Sequence, residues 1–235
     1  MNTNNRSRWQ LAQDYEINWW KGYTRDIKWY RDFSKEVEDV VGPYINITGE
    51  TKILEIGSGP AGALTFLKSD NKYAIDPLED FFSSDEEWVS FRDPKVKYLK
   101  GKGEKLHFDN DYFDLIIIDN VLDHCENPVK VLDEMNRTLK KNGVIFFRQN
   151  VYNRWGAFMR KLMELKKIDR GHPFTFGKNQ LVNLFKMRSW EIKLYRDSGY
   201  VQSWIKNVHD LSLKGIVKTF LFITRNRTLF VLQKI

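Results

Sequence analysis

The amino-acid sequence predicts an α/β domain in which helices cover a mostly parallel sheet. Between Lys52 and Arg148, short apolar runs alternate with amphipathic or polar segments, and this alternation is typical of parallel strands joined by helical crossovers. The run from Leu115 to Ile118 is continuously apolar, as expected of a strand that is buried on both faces. The segments between the runs have the length of helical crossovers.

Five strands are expected in this region because each apolar run is short and bounded by polar or glycine-containing segments. They are Lys52–Ile56, Lys72–Ile75, Val96–Lys100, Phe113–Ile118 and Val144–Arg148. Before the last strand, Asn127 is a favourable N-cap, Pro128 suits a first helical turn, and Asn142-Gly143 supplies a stop. The apolar residues that recur at helical spacing between these signals are Val129, Leu132, Met135 and Leu139.

Two flanks surround this core without a flexible linker, so we expect one domain over residues 1–235. Residues 1–48 form a helical cover in this prediction, residues 49–150 the ligand-binding core, and residues 151–235 further helices and the final strands. The elements expected after the core are helices at Trp155–Lys167 and Lys178–Met187 and strands at Glu191–Asp197 and Leu229–Gln233.

Composition favours a globular protein with a complete core, since 42% of the 235 residues are hydrophobic. The polar N-terminus lacks a signal peptide, and the single cysteine, Cys125, fits a reducing compartment, so we expect a cytoplasmic protein.

The net charge of +7 would suit an anionic substrate, a membrane surface or nucleic acid. Ile216–Ile223, apolar between basic groups, could lie against a membrane or be buried.

The segment from Ile53 to Gly62 predicts a ligand-binding turn, because a buried strand runs into a glycine-rich stretch and then a helix. Gly57 and Gly59 let the backbone approach a ligand closely, and Gly62 allows tight packing of the helix on the strand. The same spacing fits a dinucleotide-binding turn, with Asp76 near the position of a ribose-binding acid. The pattern narrows the ligand to a molecule with an adenosine-like sugar.

The residues around this turn help to distinguish a dehydrogenase from other proteins that bind an adenosine-containing ligand. Glu55 lies inside the strand, where a dehydrogenase usually needs no acid, and Asp76-Pro77 ends the second strand, where one carboxylate can accept hydrogen bonds from two ribose hydroxyls. The later motifs are Gly101–Phe108 and Asp111–His124. In this order the series resembles the class I S-adenosylmethionine (SAM)-dependent methyltransferases, particularly those that modify small molecules, sugars and quinones. The resemblance covers residues 52–150.

The resemblance implies SAM as the cofactor, S-adenosylhomocysteine as the product, and a Rossmann-like, doubly wound sheet of seven strands with helices on both faces. Gly57–Gly59 would line the methionine part, Asp76 would hold the ribose hydroxyls, residues 102–104 would flank the adenine, and Glu55 would act through the loop or the cofactor's amino group. Asp119-Asn120 would close over the cofactor. The implied cofactor residues are Glu55, Gly57, Ser58, Gly59, Gly62, Asp76, Pro77, Lys102, Gly103, Glu104, Asp119, Asn120 and His124.

Lys102 departs from the family pattern. The position is commonly an acid that accepts a hydrogen bond from the adenine amine, and a lysine cannot accept one. The backbone at Gly103, or the Glu104 side chain, would have to substitute for it.

The acceptor side is expected after the fifth strand, where open α/β sheets bind their ligands. His172, in a Gly-His-Pro loop, is the candidate general base, because an oxygen acceptor of weak acidity needs one and histidine suits neutral pH. The other residues expected at the acceptor are Tyr15, Trp19, Trp20, Arg148, Gln149, Asn150 and Tyr152. The first three belong to an aromatic segment that is short enough to be a lid. No metal is expected.

The sequence thus predicts an enzyme that methylates a small acceptor, with O-methylation of a sugar or glycan precursor ahead of a quinone or lipid-like acceptor. A catalytically silent SAM-binding scaffold stays open because of Lys102. A nicotinamide-dependent oxidoreductase fits the later motifs poorly, and nucleic acid is not expected, since no RNA-binding motif accompanies the basic charge.

Overall fold

The computed structural model describes residues 7–165, 171–209 and 213–235, which include one sheet of seven strands. The strands are β1 Lys52–Ile56, β2 Asn71–Asp76, β3 Val96–Lys100, β4 Phe113–Asp119, β5 Leu139–Tyr152, β6 Trp190–Asp197 and β7 Arg225–Lys234. Their order in the sheet is β3-β2-β1-β4-β5-β7-β6. Only β7 runs antiparallel to its neighbours β5 and β6. The sheet confirms the predicted Rossmann-like fold class.

Helices precede, cover and follow the sheet. The α-helices within the described residues are α1 Arg8–Lys21, α2 Ile27–Val41, α3 Glu79–Ser83, α4 Glu86–Phe91, α5 Pro128–Thr138, α6 Arg154–Leu165, α7 Lys178–Lys186, α8 Tyr200–His209 and α9 Leu213–Phe220. The N-terminal cover is therefore helical, as expected. The predicted helix Trp155–Lys167 is seen up to Leu165, and Lys166 and Lys167 lie outside the described residues. No helix in the described ranges is both long and apolar enough to cross a membrane.

The core lies on both faces of the sheet because successive residues of each strand point to opposite sides. On one face, Ile116 and Ile118 of β4 pack with apolar side chains of α5 and α7. On the other face, Leu115 and Ile117 pack with α2. Every side chain of the run 115–118 is buried, as the continuous apolar pattern predicted.

Two local predictions about helices need correction. Helix α5 ends at Thr138, because Leu139 pairs with Phe113 of β4 and its buried side chain belongs to the core. Val129 is exposed, so the buried face of α5 begins instead with Pro128 and Val131.

The glycine-rich turn leads into a short 3-10 helix, Ala63–Phe66, and not into an α-helix. Two buried polar side chains, Glu55 and Lys72, form hydrogen bonds with the two ends of this segment. Glu55 accepts hydrogen bonds from the backbone N–H groups of Ala63 and Leu64, and the fully buried Lys72 ammonium donates to the carbonyls of Leu64 and Leu67. Helix α2 packs over the segment and supplies the apolar cover that a longer helix would give.

Arg148 of β5 ties three elements together beneath α2. Its side chain is 2% exposed, pairs with Asp119 at the end of β4 and donates to Glu36 of α2 at 2.6 Å. The guanidinium also lies 4.6 Å from the ring centre of Phe33, within cation–π range. A buried guanidinium of this kind needs its carboxylate partners, since an unpaired buried charge is strongly unfavourable.

Replacing Arg148 with Met should lower the free energy of unfolding by about 3 kcal/mol or more, because Asp119 would lose its buried partner. Urea unfolding at neutral pH measures the change. The control is Glu36→Gln, which removes the more exposed carboxylate and should lower the free energy of unfolding by about 1 kcal/mol or less. Equal losses in the two variants would contradict the central role given to the Arg148–Asp119 pair.

Candidate active site

Two buried carboxylates hold the turn that follows β1. Glu55 binds the backbone N–H groups of Ala63 and Leu64 at 3.1 and 3.2 Å, and its burial raises the pKa of the carboxyl to about 8. Gly62 has φ +70°, and a Cβ there would lie 2.4 Å from Glu55 Oε2. Of the two roles expected for Glu55, the geometry shows contact with the loop.

Asp76 holds the same turn from the end of β2. Its Oδ2 accepts a hydrogen bond from Gly59 N at 3.0 Å, and its Oδ1 accepts one from Leu78 N at 2.8 Å. Burial raises the pKa of Asp76 to about 6, although these two hydrogen bonds oppose the shift. Each carboxylate oxygen keeps a further lone pair that could accept a ligand hydroxyl.

The glycines of the turn are needed where it packs closely. Gly57 has φ +70°, and a Cβ there would lie 2.3 Å from the Val121 side chain. Gly59 has φ +59°, and a Cβ would come within 3.2 Å of Trp20 on α1. Any side chain at either position would be strained and would push the turn away from its neighbours.

A cavity of about 540 Å³ lies at the carboxyl ends of β1, β2 and β4, which is within the usual size of small-molecule sites. Helix α1 forms its cover. The predicted site residues that line it are Tyr15, Trp19, Trp20, Gly57, Gly59, Asp76, Pro77, Lys102, Gly103, Glu104, Asp119, Asn120, His124 and His172. Residues expected at the cofactor and at the acceptor therefore meet in one cavity.

Lys102 and Glu104 line the cavity but already have partners. The Lys102 ammonium lies 3.6 Å from the ring centre of Trp9 on α1 and donates to Glu126 at 2.9 Å. Glu104 accepts hydrogen bonds from the backbone of Glu126 and Asn127, at the start of α5. Lys102 thus joins the cover to the sheet.

Asp119 and Asn120 end β4 beside the turn. Asp119 receives two hydrogen bonds from Arg148. Asn120 adopts φ 55°, and its Oδ1 accepts a hydrogen bond from Asn150 N at 3.1 Å. This amide network fixes the exit of β4 against β5 and holds Asn120 at the cavity wall.

Asp123, His124 and His172 form a cluster, and its two histidines line the cavity. The two imidazole rings are 4.5 Å apart, and His172 Nε2 lies 3.9 Å from Asp123 Oδ2. Gln149 donates to Asp123 Oδ1 at 2.8 Å and so orients this buried carboxylate. His124 Nδ1 lies 3.3 Å from Glu16 Oε1 of α1, an ion-pair distance without hydrogen-bond geometry. The cluster therefore places the His172 imidazole near a fixed carboxylate.

The same three residues are a group that could hold a metal ion, since one ligand atom from each lies within 4.8 Å of the others. The Asp123–His124 and Asp123–His172 distances are 3.8 and 3.9 Å. Bonds of about 2.1 Å to a first-row ion would set neighbouring ligand atoms about 3.0–3.4 Å apart. As they stand, these side chains are therefore further apart than the ligands of such an ion.

Several predicted site residues do not reach the cavity. Glu55 and Gly62 lie beneath the turn, and Ser58 is buried with its hydroxyl on the Gly59 carbonyl. Among the residues expected at the acceptor, those that do not line the cavity are Arg148, Gln149, Asn150 and Tyr152. Arg148 and Gln149 are buried in polar networks beneath the wall, because β5 is a central strand covered on both faces.

Sequence reasoning missed part of the cover. Trp9, Gln13 and Glu16 line the cavity beside the predicted Trp20, and these four residues recur at intervals of four and three, so they lie on one face of α1. This helical spacing in the sequence could have indicated that these residues lie on one face of the helix. Tyr23, just after α1, also lines the cavity. Arg225, at the start of β7, also lines the cavity. It is separated from the turn by most of the chain, and no local pattern indicates it.

Comparison with protein families matches residues 54–147 to a family described as a methyltransferase domain. The matched range begins in β1 and ends in β5, so it contains the turn, Asp76, and the exit of β4.

The chain is 38% identical over 72 residues to an uncharacterized protein of Methanocaldococcus jannaschii, covering 31% of this chain and 34% of that protein. It is 26% identical over 102 residues to the sarcosine/dimethylglycine N-methyltransferase of Aphanothece halophytica, covering 41% and 37%. The chain thus spans about a third of the length of the curated relatives it matches.

Among solved structures, the geranyl diphosphate C-methyltransferase of Streptomyces coelicolor, in complex with Mg²⁺, geranyl diphosphate and S-adenosylhomocysteine, has a TM-score of 0.65 to this chain. The match covers 86% of this chain and 79% of that chain, at 11% identity. At this identity the likeness establishes the shared fold alone.

The buried Glu55 carboxyl should make stability depend on pH. Its pKa in the folded chain, about 8, lies above the ordinary value of 4.5, so the folded state holds an extra proton between these values. The free energy of unfolding should therefore fall as pH rises from 5 to 8, by at most about 1.4 kcal/mol per pH unit.

Urea unfolding across this pH range should show a shallower fall for Glu55→Gln than for the wild type. Glu50→Gln, which changes an exposed carboxylate near the start of β1, is the matched control and should keep the wild-type slope. An unchanged slope in Glu55→Gln would mean that Glu55 is not the group responsible.

Proposed function

Residues 54–147 belong to the class I SAM-dependent methyltransferase family, and we propose that the protein transfers a methyl group from SAM to an oxygen of a small acceptor. One observation carries the proposal: the turn with Asp76 and the side chains of His124 and His172 line the same cavity. Holding two reactants next to each other in one cavity supplies most of what a methyl transfer requires, and such positioning can lower a barrier by about 7–11 kcal/mol.

The residues at the turn fit the cofactor. Gly57 and Gly59 bring the backbone of the turn to the cavity wall, and Asp76 is a buried carboxylate with lone pairs to spare beside it. In this proposal Asp76 accepts the ribose hydroxyls, and the Gly103 backbone contacts the adenine edge. When bound, SAM supplies a methyl group that its sulfonium already activates.

The residues at the cluster fit an oxygen acceptor. His172 accepts the proton of the acceptor hydroxyl, and Asp123, fixed by Gln149, steadies the imidazolium that forms. Helix α1 excludes water from above. A nitrogen or carbon nucleophile would need less help from such a base, and for that reason we favour O-methylation.

We favour a sugar or glycan precursor as the acceptor. Tyr15, Trp19 and Trp20 of α1 line the cavity, and aromatic faces of this kind suit sugar rings. A quinone or other lipid-like acceptor is the second candidate, supported by the exposed apolar side chains of Ile216, Val217 and Phe220.

Calorimetric titration of the full chain tests the cofactor. We expect SAM and S-adenosylhomocysteine to bind with about micromolar affinity or better, and NADH not to bind. SAM binding without turnover on a panel of nucleotide sugars and quinones would favour the silent scaffold. Binding of NADH alone would refute the proposal.

Asp76→Asn should weaken SAM binding about 10–100-fold, because a charged acceptor of hydrogen bonds is lost. In the wild type, affinity should fall as pH drops below about 6, the pKa of Asp76, since the protonated acid accepts fewer hydroxyls. The variant should show no such fall. Asp80→Asn, at an exposed position on α3, is the control and should bind like the wild type.

His172→Gln should reduce kcat about 10²–10⁴-fold while the dissociation constant for SAM stays unchanged, because the base acts on the acceptor. The assay follows release of S-adenosylhomocysteine with a nucleotide sugar that the wild type methylates. His209→Gln, at an exposed position on α8, serves as the control. Undiminished turnover in His172→Gln would remove His172 from the mechanism.

A further inference from the structure

Helix α6 carries an apolar face that the fold leaves in solvent. Trp155, Phe158, Leu162 and Leu165 are spaced three, four and three residues apart and so lie on one side of the helix. All four are exposed, and Leu165 reaches 74%. The buried residues of α6 are instead Gly156 and Arg160. The core therefore does not use this face.

The helices inserted between β6 and β7 repeat the pattern. In α8, Val201, Ile205 and Val208 form an exposed stripe at helical spacing, and no residue of this helix is buried. In α9, Phe220 is 78% exposed, and Phe222 follows it in solvent. A soluble protein gains nothing in its own stability from keeping such side chains exposed at matched positions.

These helices form one continuous surface. The Trp155 indole donates to the Leu221 carbonyl at 2.8 Å, which joins α6 to the end of α9. The Trp204 ring of α8 stacks on Phe222 with an angle of 4° between the planes, and its indole donates to the Thr219 carbonyl. We call the exposed apolar side chains of α6, α8 and α9, with Leu221 and Phe222, the hairpin face.

Positive charge surrounds the hairpin face. Lys206 on α8, Lys218 on α9 and Lys161 on α6 are exposed beside the apolar stripes. Glu164, the acid of α6, is paired with Arg8. Lysine stems can lie along an apolar boundary while their ammonium groups reach anionic phosphates.

The hairpin face is joined to the cavity wall through the start of β7. Arg225 begins β7 three residues after Phe222 and is one of the residues that line the cavity. A bilayer bound to this face would therefore lie within a few residues of a side chain at the cavity wall.

We propose that the hairpin face docks on an anionic lipid bilayer, and that the acceptor is carried by a membrane lipid. The combination of aromatic and aliphatic side chains with flanking lysines is what an interfacial surface requires, and nucleic acid would leave the apolar stripes unused. The inference that a membrane lipid carries the acceptor rests on the proposed methyltransferase function. The inference that the hairpin face docks on a bilayer does not.

Vesicle flotation with the full chain tests docking without SAM or acceptor. We expect binding to vesicles of phosphatidylcholine with 30% phosphatidylglycerol to be at least about tenfold stronger than to phosphatidylcholine alone, and to weaken at high salt. Leu165→Ser with Phe220→Ser should abolish it, and Lys161→Glu with Lys206→Glu should weaken it about tenfold or more.

Matched controls are Met187→Ser, which removes a 79% exposed apolar side chain at the end of α7, and Lys130→Glu on α5. Both should bind vesicles like the wild type. Since every altered side chain is exposed, circular dichroism should show that all variants fold, and SAM titration should show that they keep the wild-type cofactor affinity.

Failure of the wild type to bind anionic vesicles would overturn the proposal, and so would equal binding to neutral vesicles. A dimer that Leu165→Ser with Phe220→Ser dissociates, in the absence of vesicle binding, would assign the face to self-association instead. Loss of methyl transfer with intact vesicle binding would refute the proposed function but not the docking.

Discussion

The turn after β1 cannot exist without the two buried carboxylates that accept its backbone N–H groups. Gly57 and Gly59 adopt positive φ angles and lie against Val121 and Trp20. The Gly57 N–H donates to the Ile75 carbonyl, whereas Asp76 accepts from the Gly59 N–H and Glu55 from those of Ala63 and Leu64. The desolvation of these carboxylates is unfavourable, as their raised pKa values show. Burying the carboxyl groups alone, or the backbone N–H groups alone, would be unfavourable. The turn is therefore stable only because the two kinds of group form hydrogen bonds with each other.

The cover is attached to the rest of the fold at several separate points. Arg8 of α1 pairs with Glu164 of α6, Trp9 lies over Lys102, and Glu16 faces His124. Tyr15 packs so closely on Gly171 that a Cβ there would come within 2.7 Å of its ring. Helix α1 contributes little to the sheet's core, since only Ala12 of it is buried. Its position is set by polar and aromatic contacts with residues around the cavity.

Sequence patterns predicted the strands, the turn and Asp76 because these features depend on local constraints: burial on both faces, positive φ, and the residue at a strand's end. They could not place Arg148 and Gln149, since whether a polar residue at a strand end faces the cavity or an ion pair depends on Glu36 and Asp123, which are distant in sequence. The inward face of α1 was present in the spacing of its aromatic residues. Which molecule it covers depends on tertiary packing that no local pattern contains.

The 3-10 segment Ala63–Phe66 has an acid at its beginning and a base at its end, both buried. Glu55 takes the free N–H groups and Lys72 the free carbonyls, so these two strand residues supply what further helical turns would normally provide. The conformation of the segment is thus encoded outside the segment. Substitutions within it are constrained by packing and, at Thr65, by hydrogen bonds to the Ala61 carbonyl and the Tyr98 hydroxyl, whereas the identity of two side chains in the adjoining strands decides whether the turn keeps its shape.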